Sequence, residues 1–319
     1  MLTTSTATRE RRSMITGLSQ FVRRHSLAAF LVLSYGLTWA LLMPLAIFRD
    51  ATAGPYTTLA LLISSNIPSA VAIALTAIGL GGGATRKLLG RLLIWRVGWR
   101  WYLLLLAPTA LAIGTITLVA ITRGGPTAAL AMPLSNAIFF VAFMTFPGSA
   151  TGEELGWRGF ALPRLQFRHT ALIASLILGS LHGLWHLPLW LRGDADHRLS
   201  VYPAFLIQAI GLAVIYTWLY NSTKGSVLLA VLFHTATNAP LTLVLLPLGI
   251  ENWLLPFWLM AGFTVVAALI VVAVFGPTHL SRRPRQTEPS TNTDPADHAD
   301  HADHADHASQ LGHDNPVDA

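Results

Sequence analysis

Apolar residues run through this chain in blocks too long for a water-facing helix and too unbroken for alternating strands. Eight blocks stand out, at 27–48, 57–80, 101–122, 136–161, 171–191, 201–220, 227–248 and 253–275. Most reach about 20 residues, the length a helix needs to cross roughly 30 Å of hydrocarbon. Period-two alternation is absent, so a transmembrane barrel is excluded. The pattern predicts an all-α polytopic membrane protein with eight transmembrane helices.

Composition agrees. Hydrophobic residues make up 53% of the chain and charged residues 11%, against about 25% charged in soluble domains. Charge placement then sets an orientation. With the N-terminus inside, 17 of the 21 Lys and Arg fall in inside segments, and only Arg49, Arg123, Arg192 and Arg198 lie outside. That bias predicts both termini in the cytosol and a multi-pass protein of the plasma membrane. The net charge of +6 is then a topology signal and does not imply a nucleic-acid partner. The chain has no cysteine, which removes disulfides, thiolate ligands and a cysteine nucleophile. The first apolar block is too long for a signal-peptide core and reads as a retained helix.

Three regions follow. Residues 1–26 form a basic cytosolic arm, 27–277 the membrane domain, and 278–319 a polar tail expected to be disordered. Between the second and third blocks, Gly81-Gly82-Gly83 ends a helix. An Arg-rich stretch with Trp95, Trp99 and Trp101 follows it, suited to the headgroup level. The tail holds four Asp-His copies between 296 and 308. These could bind zinc, nickel or copper weakly, although a solvated repeat is the plainer reading.

Chemistry concentrates in the middle third. Ionisable groups inside membrane helices are costly and mark functional sites. Glu154 and Arg158, His182 and His186, and His234 and Asn238 are each spaced i,i+4, so each pair shares one face of a helix. Taken singly, each has a structural explanation, as an ion pair or as interhelical hydrogen bonds. Together with Glu153, whose i+4 neighbour is Trp157, they predict an intramembrane active-site cavity. Desolvation strengthens a carboxylate as a base, a histidine beside it can help activate water, and a second His with an Asn amide can stabilise an oxyanion. Such parts suffice for amide hydrolysis. The zinc-protease signature His-Glu-x-x-His is absent, yet His182, His186, His234 and Glu153 could still hold a catalytic zinc.

At these residues the chain resembles the CPBP family of intramembrane endopeptidases, which groups type II CAAX prenyl proteases with bacteriocin-processing and abortive-infection proteins. The family motif Glu-Glu-x-x-x-Arg stands here as Glu153-Glu154-Leu155-Gly156-Trp157-Arg158. Its Phe-x-x-x-His motif appears as His182-Gly183-Leu184-Trp185-His186, with His182 in place of the usual Phe. Its His-x-x-x-Asn motif is His234-Thr235-Ala236-Thr237-Asn238. The resemblance implies an eight-helix protease fold acting on a membrane-tethered peptide or protein at the cytosolic face. It implies that Glu153 and His186 activate water, that His234 and Asn238 stabilise the oxyanion, and that Glu154 with Arg158 shapes the site. For the family a metal-free glutamate mechanism is the favoured view, so no cofactor is expected. The added His182 keeps a zinc-dependent version open as the alternative. Two rivals are a non-catalytic immunity or scaffold protein of the same fold and a metal- or proton-coupled transporter. The intact motifs speak against the first, and the lack of repeated halves against the second. For Glu153 to meet the histidines, the fourth helix must continue to Ala161, kinked at Pro147-Gly148.

Overall fold

The computed structural model describes residues 16–48, 54–123, 133–192, 199–240 and 254–288. Every regular element among them is helical, as expected for the fold class. In chain order, after a helical stretch at 16–24, these are α1 (Ser26–Ile47), α2 (Pro55–Gly90), a 3₁₀ turn (Arg91–Leu93), α3 (Trp99–Leu104), α4 (Leu106–Arg123), α5 (Leu134–Thr145), α6 (Ser149–Glu154), a π-helical stretch (Leu155–Ala161), α7 (Leu162–Arg168), α8 (Ala171–Trp185), α9 (Leu187–Arg192), α10 (Tyr202–Ser222), α11 (Val227–Pro240) and α12 (Leu254–Phe275). Seven helical runs among the described residues are long and apolar enough to cross a bilayer. The eighth expected span, 227–248, is described only as far as Pro240 and is helical to that point. Residues 1–15 of the basic arm and the Asp-His repeat lie outside the described residues.

Where the helices break, the sequence explains it. Gly81 takes φ 79° and ψ −177° inside α2, a left-handed backbone that favours glycine, so the expected stop is a kink followed by another helical stretch. The kink expected at Pro147-Gly148 is a full break. Phe146 and Gly148 are extended, and a fresh helix begins at Ser149. The block 171–191 is interrupted at His186, because Pro188 has no N–H to continue the ladder. The π-helical turn through Leu155–Ala161 has no counterpart in the sequence reading.

Two small-residue pairs bring the motif helices against their neighbours. A Cβ on Gly152 would fall 2.7 Å from Asn66 Oδ1, and one on Gly156 would fall 2.6 Å from the Pro68 carbonyl. The α6 and π-helical backbones thus lie directly on α2. Likewise a Cβ on Gly179 would come within 2.7 Å of Ile210 Cα, and one on Gly183 within 2.5 Å of Leu206 Cδ1, fixing α8 on α10. Both pairs are Gly-x-x-x-Gly, the spacing that lets membrane helices pack backbone to backbone. A core containing Phe30, Val71, Trp157, Phe160, Leu178 and Trp185 fills the space between α1, α2, the π turn and α8.

The segments assigned to the inside all meet at one end of the bundle. Arg23 Nε donates to the Gly79 carbonyl at 2.6 Å, Ser226 Oγ to the Ile94 carbonyl at 2.7 Å, and Arg91 to the Gly159 carbonyl. The chain after α12 belongs to this end as well. The first residues of the segment expected to be a disordered tail are packed: Leu280 is fully buried, and Gln286 Nα–H donates to Asn221 Oδ1. Glu288 pairs with Arg91 and, at 3.1 Å, with Arg164. What drives this packing is unpaired backbone: the Pro277 and Thr278 carbonyls accept the Leu172 and Ala171 amides that open α8.

The two glycine seams give a direct test of this packing. Gly152→Ala and Gly156→Ala are each expected to lower stability by roughly 1–3 kcal/mol or more, because backbone rather than a flexible side chain must move. Gly262→Ala, with nothing within 4 Å of the added methyl, is expected to be neutral. Thermal unfolding in detergent compares the three.

Candidate active site

Glu153 and Glu154 end α6, and the break at Phe146–Gly148 is what delivers them into the protein. With Gly152 and Gly156 turned onto α2, Glu154 falls on the far side of the helix and Glu153 on its flank. Both are buried, at 4% and 0% exposure, and Arg158 one turn on is 1% exposed. Removing such groups from water is costly unless each is paired, and here the pairing forms a continuous chain.

It starts on α11. Asn238 Nδ2 donates to His234 Nε2 at 2.9 Å. His234 Nδ1 lies 2.8 Å from Glu154 Oε1 and donates to it. The same Glu154 oxygen accepts from Arg158 Nη1 at 2.8 Å. Arg158 Nη1 also reaches His182 Nδ1 at 3.4 Å, leaving His182 Nε2 to donate to Glu153 Oε2 at 2.9 Å. Finally, His186 Nδ1 donates to the His182 carbonyl at 2.9 Å. That bond leaves His186 Nε2 as the basic nitrogen, 3.9 Å from Glu153 Oε2. All six expected catalytic residues, Glu153, Glu154, Arg158, His186, His234 and Asn238, are thus gathered in one place, together with His182.

The surroundings hold this geometry rigidly. The Arg158 guanidinium stacks on the Tyr216 ring at 3.9 Å. The His182 ring lies 5.0 Å from that of Trp157, and the His186 ring stands at 90° to Trp185 at 4.6 Å. Sequence reasoning did not find Tyr216, whose position on α10 carries no motif. Its only signal is a tyrosine in the middle of an apolar block. Glu154 Oε2, Trp157 Nε1 and Arg158 Nε are buried with no protein partner among the described residues, so the site still has polar groups to satisfy.

The donor set can be tested against zinc. Ligand atoms of Glu153, His182 and His186 lie within 4.8 Å of one another, and His234 stands outside this group. His186 suits a metal, since its Nδ1–H is already held by a carbonyl. His182 does not. With Nε2 on a metal, its Nδ1–H would face the Arg158 guanidinium, donor against donor. Zinc on all three residues therefore requires Arg158 to leave its place.

Residues 133–240 match the family described as type II CAAX prenyl endopeptidase, Rce1-like. The match spans all three motifs. Residues 133–240 form an Rce1-like domain. This bears out the CPBP recognition drawn from the motifs. A relative called CAAX prenyl protease 2, from Methanococcus maripaludis, is 33% identical over 96 residues, covering 28% of this chain and 35% of that protein. The chain thus spans about a third of the relative's length. The described part of the Rce1-like domain runs from α5 through α11, and every member of the hydrogen-bonded chain lies within it.

The pairing predicts unequal costs. Arg158→Met leaves the Glu154 carboxylate buried without its cation and is expected to cost roughly 3–5 kcal/mol. Adding Glu154→Gln to Arg158→Met removes the uncompensated charge and should recover a large part of that loss. Unfolding of the single and double variants in detergent provides the comparison.

Proposed function

We propose that this protein is an intramembrane endopeptidase that hydrolyses a peptide bond in a membrane-tethered substrate near the cytosolic face of the plasma membrane. The observation that carries the reading is the spacing of Glu153 Oε2 and His186 Nε2. At 3.9 Å they are too far apart to bond directly and close enough to share one water. Both are acceptors, so a water between them donates both hydrogens and keeps its lone pairs for a carbonyl carbon. Glu153 takes the proton as the water attacks, and the same proton can pass to the leaving amine. The six-residue site and the Rce1-like domain around it support this assignment.

The remaining members have distinct parts. Asn238 uses one amide hydrogen on His234, which leaves the other for the oxyanion of the tetrahedral intermediate. His234 positions that amide and is itself held by Glu154. Arg158 fixes His182, and His182 aims the Glu153 carboxylate. The reading is metal-free, in keeping with the clash between Arg158 and a metal-bound His182. The name of the Methanococcus maripaludis relative suggests C-terminal CAAX-type peptides as the first substrates to try. The charge asymmetry supports cytosolic termini and a cytosolic approach for the peptide.

Full-length protein in liposomes, given a panel of membrane-tethered peptides, tests the assignment. Glu153→Gln is expected to lower kcat by roughly 10²–10⁴-fold, the span general-base catalysis contributes. Metal analysis of the wild type should show no stoichiometric zinc, and chelators should leave cleavage unchanged. Undiminished cleavage by Glu153→Gln would overturn the mechanism. Chelator-sensitive cleavage with one zinc per chain would favour the metal version, and a folded wild type that cuts nothing would favour a binding or scaffold role.

A second variant separates aiming from chemistry. His182→Phe removes one donor from Glu153 while leaving an aromatic ring against Trp157. It should reduce kcat by up to roughly 100-fold, the cost of letting a catalytic group shift by about an ångström, with KM unchanged. A rise in KM at constant kcat would instead place His182 in substrate binding.

A further inference from the structure

At the arginine-rich end of the bundle, the start of α1 and the end of α7 leave a cavity of about 270 Å³ between them. Two parts of the chain, 140 residues apart, supply its polar wall: Arg24 and His25 from one, Arg164, Arg168 and His169 from the other. Among the described residues, no carboxylate lines it. Arg24 and Arg168 are exposed, and solvent can hydrate them. Arg164 is different, with 5% exposure.

Among the described residues its charge is only partly balanced. Glu288 is shared, one oxygen on Arg91 and the other on Arg164 at 3.1 Å. The other Arg164 acceptors are neutral: Ser26 Oγ at 3.3 Å and the Phe160 carbonyl at 2.8 Å. Two guanidiniums on one carboxylate leave a net positive charge in a poorly hydrated place, and a buried charge without a counterion is unstable. The cavity beside it is where an anion would supply the balance. Leu27, Ala28 and Leu165 share the lining, so the ligand that fits carries an apolar chain next to its charge. The site sits at the start of a bilayer-crossing helix, the level that lipid headgroups occupy.

We propose that this cavity binds an anionic phospholipid, with its phosphate among Arg24, Arg164 and Arg168 and its acyl chains leaving along Leu27 and Leu165. A basic pocket between membrane helices on the inner side is the chemistry that recognises such headgroups. The proposal is independent of the peptidase assignment, since no residue of the cavity belongs to the hydrogen-bonded site.

The test places the full chain in phosphatidylcholine nanodiscs, adds phosphatidylglycerol, and reads retained lipid by native mass spectrometry beside the melting temperature. Wild type should retain phosphatidylglycerol preferentially and melt higher with it. Arg24→Gln/Arg168→Gln should bind it roughly thirtyfold more weakly, the factor for two lost surface cations, while melting normally in phosphatidylcholine alone. Arg86→Gln/Lys87→Gln, the same charge change on exposed residues outside the cavity, should retain the preference. If the double cavity variant does not fold, Arg24→Gln alone should show a several-fold loss. Absence of any preference in the wild type would overturn the proposal, as would equal loss in the cavity and control variants. An equal melting shift from inorganic phosphate without the lipid would assign the cavity to a free anion instead.

Discussion

Glu154 is the group on which the site depends. It is fully buried and carries a charge that water would otherwise solvate, so its environment must supply several donors at once. One oxygen takes two of them, from Arg158 on the same helix and His234 on another. That shared oxygen joins α11 to the π-helical turn. Through Arg158 and His182 it also fixes where the second carboxylate points. The cost of burying the pair is offset by the order it imposes, since a misplaced partner would leave a bare charge in an apolar interior. The glycine seams are the apolar counterpart of the same constraint. Gly152 and Gly156 give one side of the helix to α2, which leaves Glu154 on the side away from it.

Much of this was legible in the residues. Block length gave the helices, and the arginines gave the alternation that puts five separated segments at one end of the bundle. The i,i+4 pairs gave the face on which each polar group would lie, and the need for Glu153 to reach the histidines required the fourth helix to run to Ala161. Other features depend on tertiary structure and left little trace. A π turn differs from an α turn by one hydrogen-bond offset per residue, and nothing in Leu155–Ala161 announces it. The two Gly-x-x-x-Gly seams were available to be read, but single glycines in apolar helices are common and only a neighbour's close approach gives them meaning. The residues 278–288 look like a polar tail because their role is to satisfy other segments. Their own composition supplies no apolar face.

His182 shows how a position can serve a different purpose from the one its neighbours suggest. One turn from His186 and beside a glutamate, it resembles a metal ligand in sequence. Arg158 constrains that reading, because it reaches the nitrogen a ligand would need for its own support. The imidazole instead transmits the position of Arg158 to Glu153, so two acids with very different surroundings belong to one rigid assembly.

The opening turn of α8 has an implication for how the protein is made. All four of its first amides are satisfied: Ala171 and Leu172 by the Thr278 and Pro277 carbonyls, Ile173 by the Thr170 hydroxyl, and Ala174 by the Thr170 carbonyl. Two of these acceptors are more than 100 residues later in the chain. During synthesis α8 therefore lacks two of these acceptors until α12 and the residues just after it have left the ribosome. The first turn of α8 is thus closed by segments that are made after the site residues themselves.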